Sequence, residues 1–432
     1  MVVVAALLPF GVIPVRLGLT VTLLEAALIG TIAVWLLRLL LDRRERLPAG
    51  IVAAFLALVP SVWLFAFALG LGRGYTSQTF HDFFKFLLAS SVVIVVWSIT
   101  RSLADARRTV MALLCATGAA AALGLLLYGA GAGVTERVLS RLIPLGYPSS
   151  RIVRYIEDDP AKPMRLVGTS VDPNSFGGFL AVVCVLAATQ LVASRPVIDR
   201  RISGTVALVT GAAMLLTYSR GAWVGTVVGL AVIALLRYRW LIVPGLLAGI
   251  GVVTLGLGGP FLQRLWLGLT LQDPATRLRL AEYRNALAII RQHPVFGVGF
   301  GDAPSIEQQT GVSSIYLTIA ERAGLVGLLV FAIAVGTVLV IGLRHWRRHA
   351  ADSAGDLTLG LLAALSAALV IGLVDHYFFN ITFPHMAALF WLVAGLLLAL
   401  AHPVTAQEGV QKDGVGRPSG AVALLEAERS GG

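Results

Sequence analysis

Three short segments collect the residue types that could do chemistry in an otherwise apolar chain. The first, Leu215-Leu-Thr-Tyr-Ser-Arg-Gly-Ala-Trp-Val-Gly225, sets Arg220 between two apolar runs of 17 and 16 residues. The second, Arg165-Leu-Val-Gly-Thr-Ser-Val-Asp-Pro-Asn-Ser-Phe-Gly-Gly178, carries Asp172-Pro173-Asn174, side-chain acceptors and a proline placed as at a helix start. The third begins at Arg277 and reads as an amphipathic helix with arginines on one side, ended by His293-Pro294. A guanidinium grips phosphate oxygens in pairs where an ammonium acts as a point charge. Arg165 lies beside a helix N-terminus, whose N–H groups and dipole already favour an anion. The common chemistry of the three segments is holding a phosphate-bearing group.

The elements that must position them are membrane helices. Of 432 residues, 57% are hydrophobic and 13% charged, against about 45–50% and 25% in soluble domains. A soluble fold of this size could not hide that surface, which excludes cytosolic enzymes, disordered scaffolds and disulfide-rich secreted domains. Runs of about 20 apolar residues mark spans at 1–15, 18–41, 49–71, 83–100, 109–130, 168–193, 202–218, 221–236, 240–258, 314–342, 357–375 and 384–401. The expectation is an all-α polytopic integral membrane protein with about twelve transmembrane helices. The first run carries Pro9 and Pro14 and lacks a basic n-region and a cleavage site, so it does not read as a signal peptide.

Alternate short loops differ sharply in charge. One set holds Arg43, Arg44, Arg46, Arg101, Arg107, Arg108, Arg195, Arg200, Arg201, Arg237, Arg239, Arg344, Arg347 and Arg348; the other holds Arg16, Arg73 and Arg220. The positive-inside rule then puts both termini in the cytoplasm. The long loops 131–167 and 259–313 fall outside, the second just before the tenth span. The domain reading is one transmembrane domain over 1–401 and a disordered cytoplasmic tail over 402–432, polar and without periodicity.

Each polar feature has a plainer reading beside the chemical one. The net charge of +11 rests on 34 basic residues, of which only Lys85, Lys162 and Lys412 are lysine. A GC-rich genome and cytoplasmic anchoring account for most of the arginines. The runs flanking Arg220 reach only about 25 Å, short of a core of about 30 Å, so Arg220 would be recessed; the alternative is that it snorkels to headgroups. Gly221, Gly225 and Gly229 make a small-residue face for close helix packing. The arginine-bearing helix could instead lie on an anionic membrane surface. Gly297, Gly299 and Gly301 read as a tight turn, since no strand precedes them to make a dinucleotide fingerprint. Glu157, Asp158 and Asp159 could bind a divalent cation but read more simply as a solvated loop. Glu25 sits within the second span and could pair with a neighbouring helix. Cys115 and Cys184 lie in apolar runs and imply neither a disulfide nor a metal site.

Together with Tyr316-Leu-x-x-x-Glu321-x-x-Gly324-Leu-x-Gly327, Asp375-His-Tyr377 and Leu389-Phe-Trp391, these motifs resemble the O-antigen ligase and polymerase superfamily over roughly residues 160–400. The resemblance implies a helical membrane glycosyltransferase of GT-C-like architecture, working on undecaprenyl-diphosphate-linked glycans at the outer face of a bacterial plasma membrane. It implies no cofactor, metal-independent transfer and no nucleic-acid partner; the partners are the lipid-linked donor, a lipid or glycan acceptor and membrane lipids. Carried onto this chain, Arg220, Asp172 and His376 are the catalytic candidates. Arg165, Asn174, Arg277, Arg279 and Tyr316 are the substrate-binding candidates, with one of Arg277 or Arg279 expected beside Arg220. In ligases of the family a His-Asn pair usually precedes the Tyr-Leu segment, where this chain has Ser313 and Ser314. The departure leaves polymerase open beside ligase, and Asp375 and His376 as substitutes for the missing base. A lipid or solute transporter is the reading from another class, though transporters place ionisable residues near the midplane. A purely structural subunit would make no use of Arg220.

Overall fold

The computed structural model describes residues 1–402 except 12–13, 17–19, 43–46, 146, 255–258, 304 and 306–307. The expected tail beyond residue 402 and the basic cluster Arg43, Arg44 and Arg46 lie outside the described residues. Among those described, the helices are α1 (Val2–Leu7), α2 (Leu23–Leu41), α3 (Ile51–Leu69), α4 (Ser77–Ile99), α5 (Leu103–Ala130), α6 (Ala132–Ser140) and α7 (Pro173–Val192). They continue as α8 (Arg200–Leu216), α9 (Arg220–Leu236), α10 (Ile242–Thr254), α11 (Gly259–Leu269) and α12 (Pro274–Gln292), then α13 (Ile315–Arg348), α14 (Ser353–Ile371) and α15 (Pro384–Ala401). Two small antiparallel hairpins join them: β1 (Pro14–Arg16) with β2 (Thr20–Thr22), and β3 (Arg154–Tyr155) with β4 (Met164–Arg165).

Eight helices are long and apolar enough to cross a membrane, namely α2, α3, α4, α5, α7, α13, α14 and α15, which supports a multi-pass membrane protein. The other expected spans are shorter: α8 and α9 have 17 residues each and α10 has 13. The first expected span is not a single helix. Its α1 ends after six residues, Pro9 falls in a 3-10 turn and Pro14 opens β1. Six residues rise only about 9 Å, and the prolines lack the N–H that would continue the helix. Glu25 lies in the first turn of α2, where it closes a capping box with Thr22, and it does pair with a neighbouring helix, through Lys85 of α4 at 2.9 Å.

The centre of the bundle is α7, α14 and α15, buried almost all round, as helices inside a bundle must be. On α9 the small-residue face packs against α14. A Cβ at Gly225 would lie 2.4 Å from the Ile371 side chain and 3.0 Å from the Ala367 carbonyl oxygen, and one at Gly229 3.2 Å from the Ala363 carbonyl. Backbone cannot step aside, so Gly225→Val should cost about 1–3 kcal/mol, seen as a lower melting temperature in detergent. Gly336→Ala is the control, because no atom stands within 4 Å of a Cβ there. Equal melting temperatures for the two variants would contradict the packing argument.

Helix α13 is interrupted. Gly324 has φ 71° and ψ −176°, a conformation essentially confined to glycine. In an unbroken helix the N–H groups of Leu325 and Val326 would donate to Glu321 and Arg322. Here they donate to Pro294 (2.8 Å) and Val295 (3.2 Å), while the Glu321 and Arg322 carbonyls accept from Val298 and Gly299, both at 2.9 Å. Residues 294–299 are thus stitched into the gap: a turn over 294–296, closed by the Gly297 N–H on the His293 carbonyl (3.2 Å), leads into residues 297–299. Non-helical backbone at this depth is tolerable because every freed group finds a partner inside protein.

Chain direction sorts the loops onto two ends. The C-termini of α7, α9 and α13 and the N-termini of α8 and α14 share one end, where Asp356 accepts from the Arg195 N–H (2.8 Å) and the Tyr238 hydroxyl (2.7 Å) and forms an ion pair with Arg237 (3.3 Å). The start of α7, the α8–α9 turn, the start of α13 and the end of α14 share the other.

Candidate functional site

At that other end the α8–α9 reversal is three residues long. Tyr218 takes the left-handed conformation, φ 53°, and Ser219 caps α9 by accepting from the Ala222 N–H. The last carbonyl of α8, that of Leu216, accepts from the Leu166 N–H (2.9 Å), and two arginines take the carbonyls of the turn itself. Arg165, delivered by β4, donates Nε to the Thr217 carbonyl at 2.8 Å; Arg264 of α11 donates Nε to the Tyr218 carbonyl at 3.2 Å. Cations are favoured at a helix C-terminus by the dipole. The first residue of α9, Arg220, then points across to α11 and α12.

Arg220 forks onto the carboxylate of Asp273, with Nη1 on one oxygen and Nη2 3.4 Å from the other. Asp273 also caps α12, accepting from the Thr276 N–H (2.8 Å) and hydroxyl (2.6 Å). Burial pushes the Asp273 carboxyl up, but the hydrogen bonds from Arg220 and Thr276 outweigh it and hold the group at about 2. Arg264 is drawn down to about 10, by burial first and then by repulsion from Arg165 and Arg220. The charge at this end is therefore crowded and cationic.

One turn into α12, Arg279 donates Nη2 to Asp375 Oδ1 at 3.1 Å. The second carboxylate oxygen of Asp375 is buried with no hydrogen-bond partner among the described residues. Burial pushes this carboxyl up to about 6, against the pull of Arg279. Because the folded state holds the proton more tightly than an ordinary carboxyl at 3.8, the associated stability is complete below that pH and is lost as pH rises through about 6. The melting temperature of Asp375→Asn relative to the parent should accordingly be more favourable at pH 8 than at pH 4. A pH-independent difference would show that Asp375 ionises freely.

Arg220 and Arg279 stand at the edge of a cavity of about 330 Å³, otherwise lined mainly by Gly221, Val224, Leu265, Gly268, Leu271, Thr276, Leu280, Tyr283, Val370, Leu373 and Val374. It is an apolar slot with two guanidinium groups. Gly268 keeps room for Arg220, since a Cβ there would come 2.1 Å from Nη1.

The other residues expected from the sequence are distributed as follows. Asp172 is the N-cap of α7, accepting from the Asn174 (2.8 Å) and Ser175 (2.9 Å) N–H groups. Asn174 accepts from Arg165. Burial, and then the charges of Asp172 and Asp375, push the Tyr377 hydroxyl well above its usual range. His376 faces a second cavity of about 90 Å³ with Phe300, Thr318, Arg322, Phe379 and Asn380, and burial draws it down to about 4, so it is neutral. Of the alternatives Arg277 and Arg279, only Arg279 reaches the slot; Arg277 is exposed and donates to the Gln272 carbonyl. Tyr316 is also away from the slot, donating to the Leu369 carbonyl at 2.9 Å and tying α13 to α14. The acidic loop is engaged by its neighbours: Glu157 pairs with Lys162, Asp158 with Arg151 and Arg154, and Asp159 accepts from the Ala161 N–H.

Sequence reasoning passed over Asp273, Arg264, Glu282 and Tyr283. Asp273 had a signal: Asp273-Pro274 repeats the cap pattern of Asp172-Pro173. The others are ordinary residues of amphipathic helices whose partners lie far along the chain.

Residues 205–332 match the family model described as O-Antigen ligase. The matched stretch runs from α8 into α13 and includes Arg220, Asp273, Arg279 and Ser313. The match supports the likeness to the O-antigen ligase superfamily that the motifs suggest. A search of curated proteins finds no match to the chain.

Proposed function

We propose that the chain moves a glycan from a polyprenyl-diphosphate donor to an acceptor hydroxyl at the outer face of a bacterial plasma membrane. The observation that carries this reading is the apolar slot with Arg220 and Arg279 at its edge. An isoprenoid chain suits the slot and a diphosphate suits the guanidinium pair. The outer face is supported by the positive-inside rule, since the described arginines of the basic loops, such as Arg195 and Arg237, gather at the opposite end of the bundle.

The chemistry asks the protein to hold the diphosphate, offset charge growing on the leaving group and orient the acceptor. Arg220 and Arg279 meet the first two demands. Asp375 positions Arg279, Arg165 and Asn174 brace the α8–α9 turn against α7, and Asp172 fixes the start of α7. Direct displacement would invert the anomeric centre, which NMR of the product linkage tests.

Ligase and polymerase differ in acceptor. Ser313, in place of the histidine usual in ligases of the family, favours polymerase as the second reading. The glycan profile of a deletion strain separates them: long polymer stranded on the lipid carrier means ligase, and collapse to one repeat unit means polymerase. An unchanged profile would overturn the transferase reading.

A further inference from the structure

Transfer to a hydroxyl leaves one proton to be taken up. Among the described carboxylates near the slot, Asp172, Asp273 and Asp375 are already committed, and Glu157 and Glu321 are engaged by Lys162 and by Gly311 with Arg322. Asp172 Oδ1 accepts two N–H groups at the start of α7 and its carboxylate also engages the Tyr377 hydroxyl, and Asp273 is taken by Arg220 and Thr276. Asp375 gives one oxygen to Arg279, and its other oxygen is sealed in protein against Gly221.

Glu282 differs. Its Oε2 accepts both the Ser313 N–H (3.1 Å) and the Ser313 hydroxyl (2.7 Å), so the carboxylate is held in one orientation. Its Oε1 accepts no hydrogen bond among the described residues, and the side chain is half-buried. The helix face places it correctly. Arg279 lies one turn earlier, and the next residue, Tyr283, lines the slot while donating to the carbonyls of Ser313 (3.0 Å) and Leu373 (3.2 Å). On the far side, His376 feels the Glu282 charge and opens onto the smaller cavity. Glu282 thus stands next to a residue that lines the slot, and its charge reaches one that lines the second cavity.

We propose that Glu282, oriented by Ser313, accepts the proton of the acceptor hydroxyl. The inference rests on the transferase reading above. The acceptor oxygen bonds the anomeric carbon, and the bond from that carbon to the diphosphate oxygen breaks with its electron pair leaving on the diphosphate. The proton passes to Glu282 Oε1 and then to water. A positioned carboxylate in this role contributes about 10²–10⁴-fold.

The test uses the purified full-length protein, with lipid-linked glycan from the deletion strain as donor and the lipid fraction of that strain as acceptor. Glu282→Ala should lower kcat about 100-fold or more, leave donor binding unchanged and recover part of the rate with added formate, a small carboxylate that can enter the vacated space. Glu282→Gln keeps an oxygen for Ser313 but cannot take a proton, so it should be equally slow. Ser313→Ala, which only loosens the carboxylate, should lose less. A Glu282→Gln variant near the parental rate, or a Glu282→Ala loss that formate does not relieve, would overturn the proposal. Absence of transfer by the parent protein would instead overturn the reading on which it rests.

Discussion

Arg220→Ala is expected to abolish glycan transfer while the protein still reaches the membrane. Removing one preorganised charge partner from a developing anion costs about 2.7–4 kcal/mol, or 10²–10³ in rate, and Arg220 presents two nitrogens at once. Arg220→Lys should recover little, because an ammonium cannot span two oxygens as a planar fork does. The alanine variant also strands Asp273, which is only 7% exposed. Arg220→Ala combined with Asp273→Asn removes that unpaired charge. If the double variant restores melting temperature but not transfer, the loss belongs to the site and not to folding. Full activity in either single Arg220 variant would remove Arg220 from the site.

The second large effect lies away from the chemistry. Gly324→Val should prevent folding: a Cβ there would sit 2.0 Å from the Val295 carbonyl oxygen and 2.5 Å from the Phe296 nitrogen. Valine is also strained at φ 71°. Four backbone hydrogen bonds depend on the close approach of the two segments. Losing them within an apolar bundle should exceed about 4 kcal/mol, the range reserved for a broken buried network. The measurement is the fraction of protein recovered as a monodisperse peak in detergent. Gly336→Ala, on the same helix and with no atom within 4 Å of its Cβ, should be recovered far better. Similar recovery of both variants would contradict the stitched geometry.

The helices were legible because apolar runs and cap residues are local signals. Asp172-Pro173 announces α7, and Gly221, Gly225 and Gly229 announce the face that meets α14. The break in α13 was not legible, although Gly324 and Gly297-Val-Gly299 were both noticed. Hydropathy stays high through 314–342, and the segment that fills the gap is itself apolar and lies about a turn's length before residue 300 in the sequence. Only three-dimensional pairing shows that the two belong together. The site divides in the same way. Arg220 stands out because a charge is conspicuous in an apolar run, whereas Asp273 and Glu282 lie in a polar helix where one more acid carries no contrast. His376 and Tyr316 drew attention through the resemblance, but the slot does not include them.

The stitch has a mechanical consequence for α12. At its C-terminal end, Pro294 and Val295 are fastened into α13 by backbone, which makes that end a fulcrum. At the other end, about 28 Å away along 19 residues, Asp273 is latched onto Arg220. A tilt of about 10° at the fulcrum carries the latch end about 5 Å, by the length of the arm. An anion competing with Asp273 for Arg220 would therefore release α12 at the end of the arm with the greatest travel.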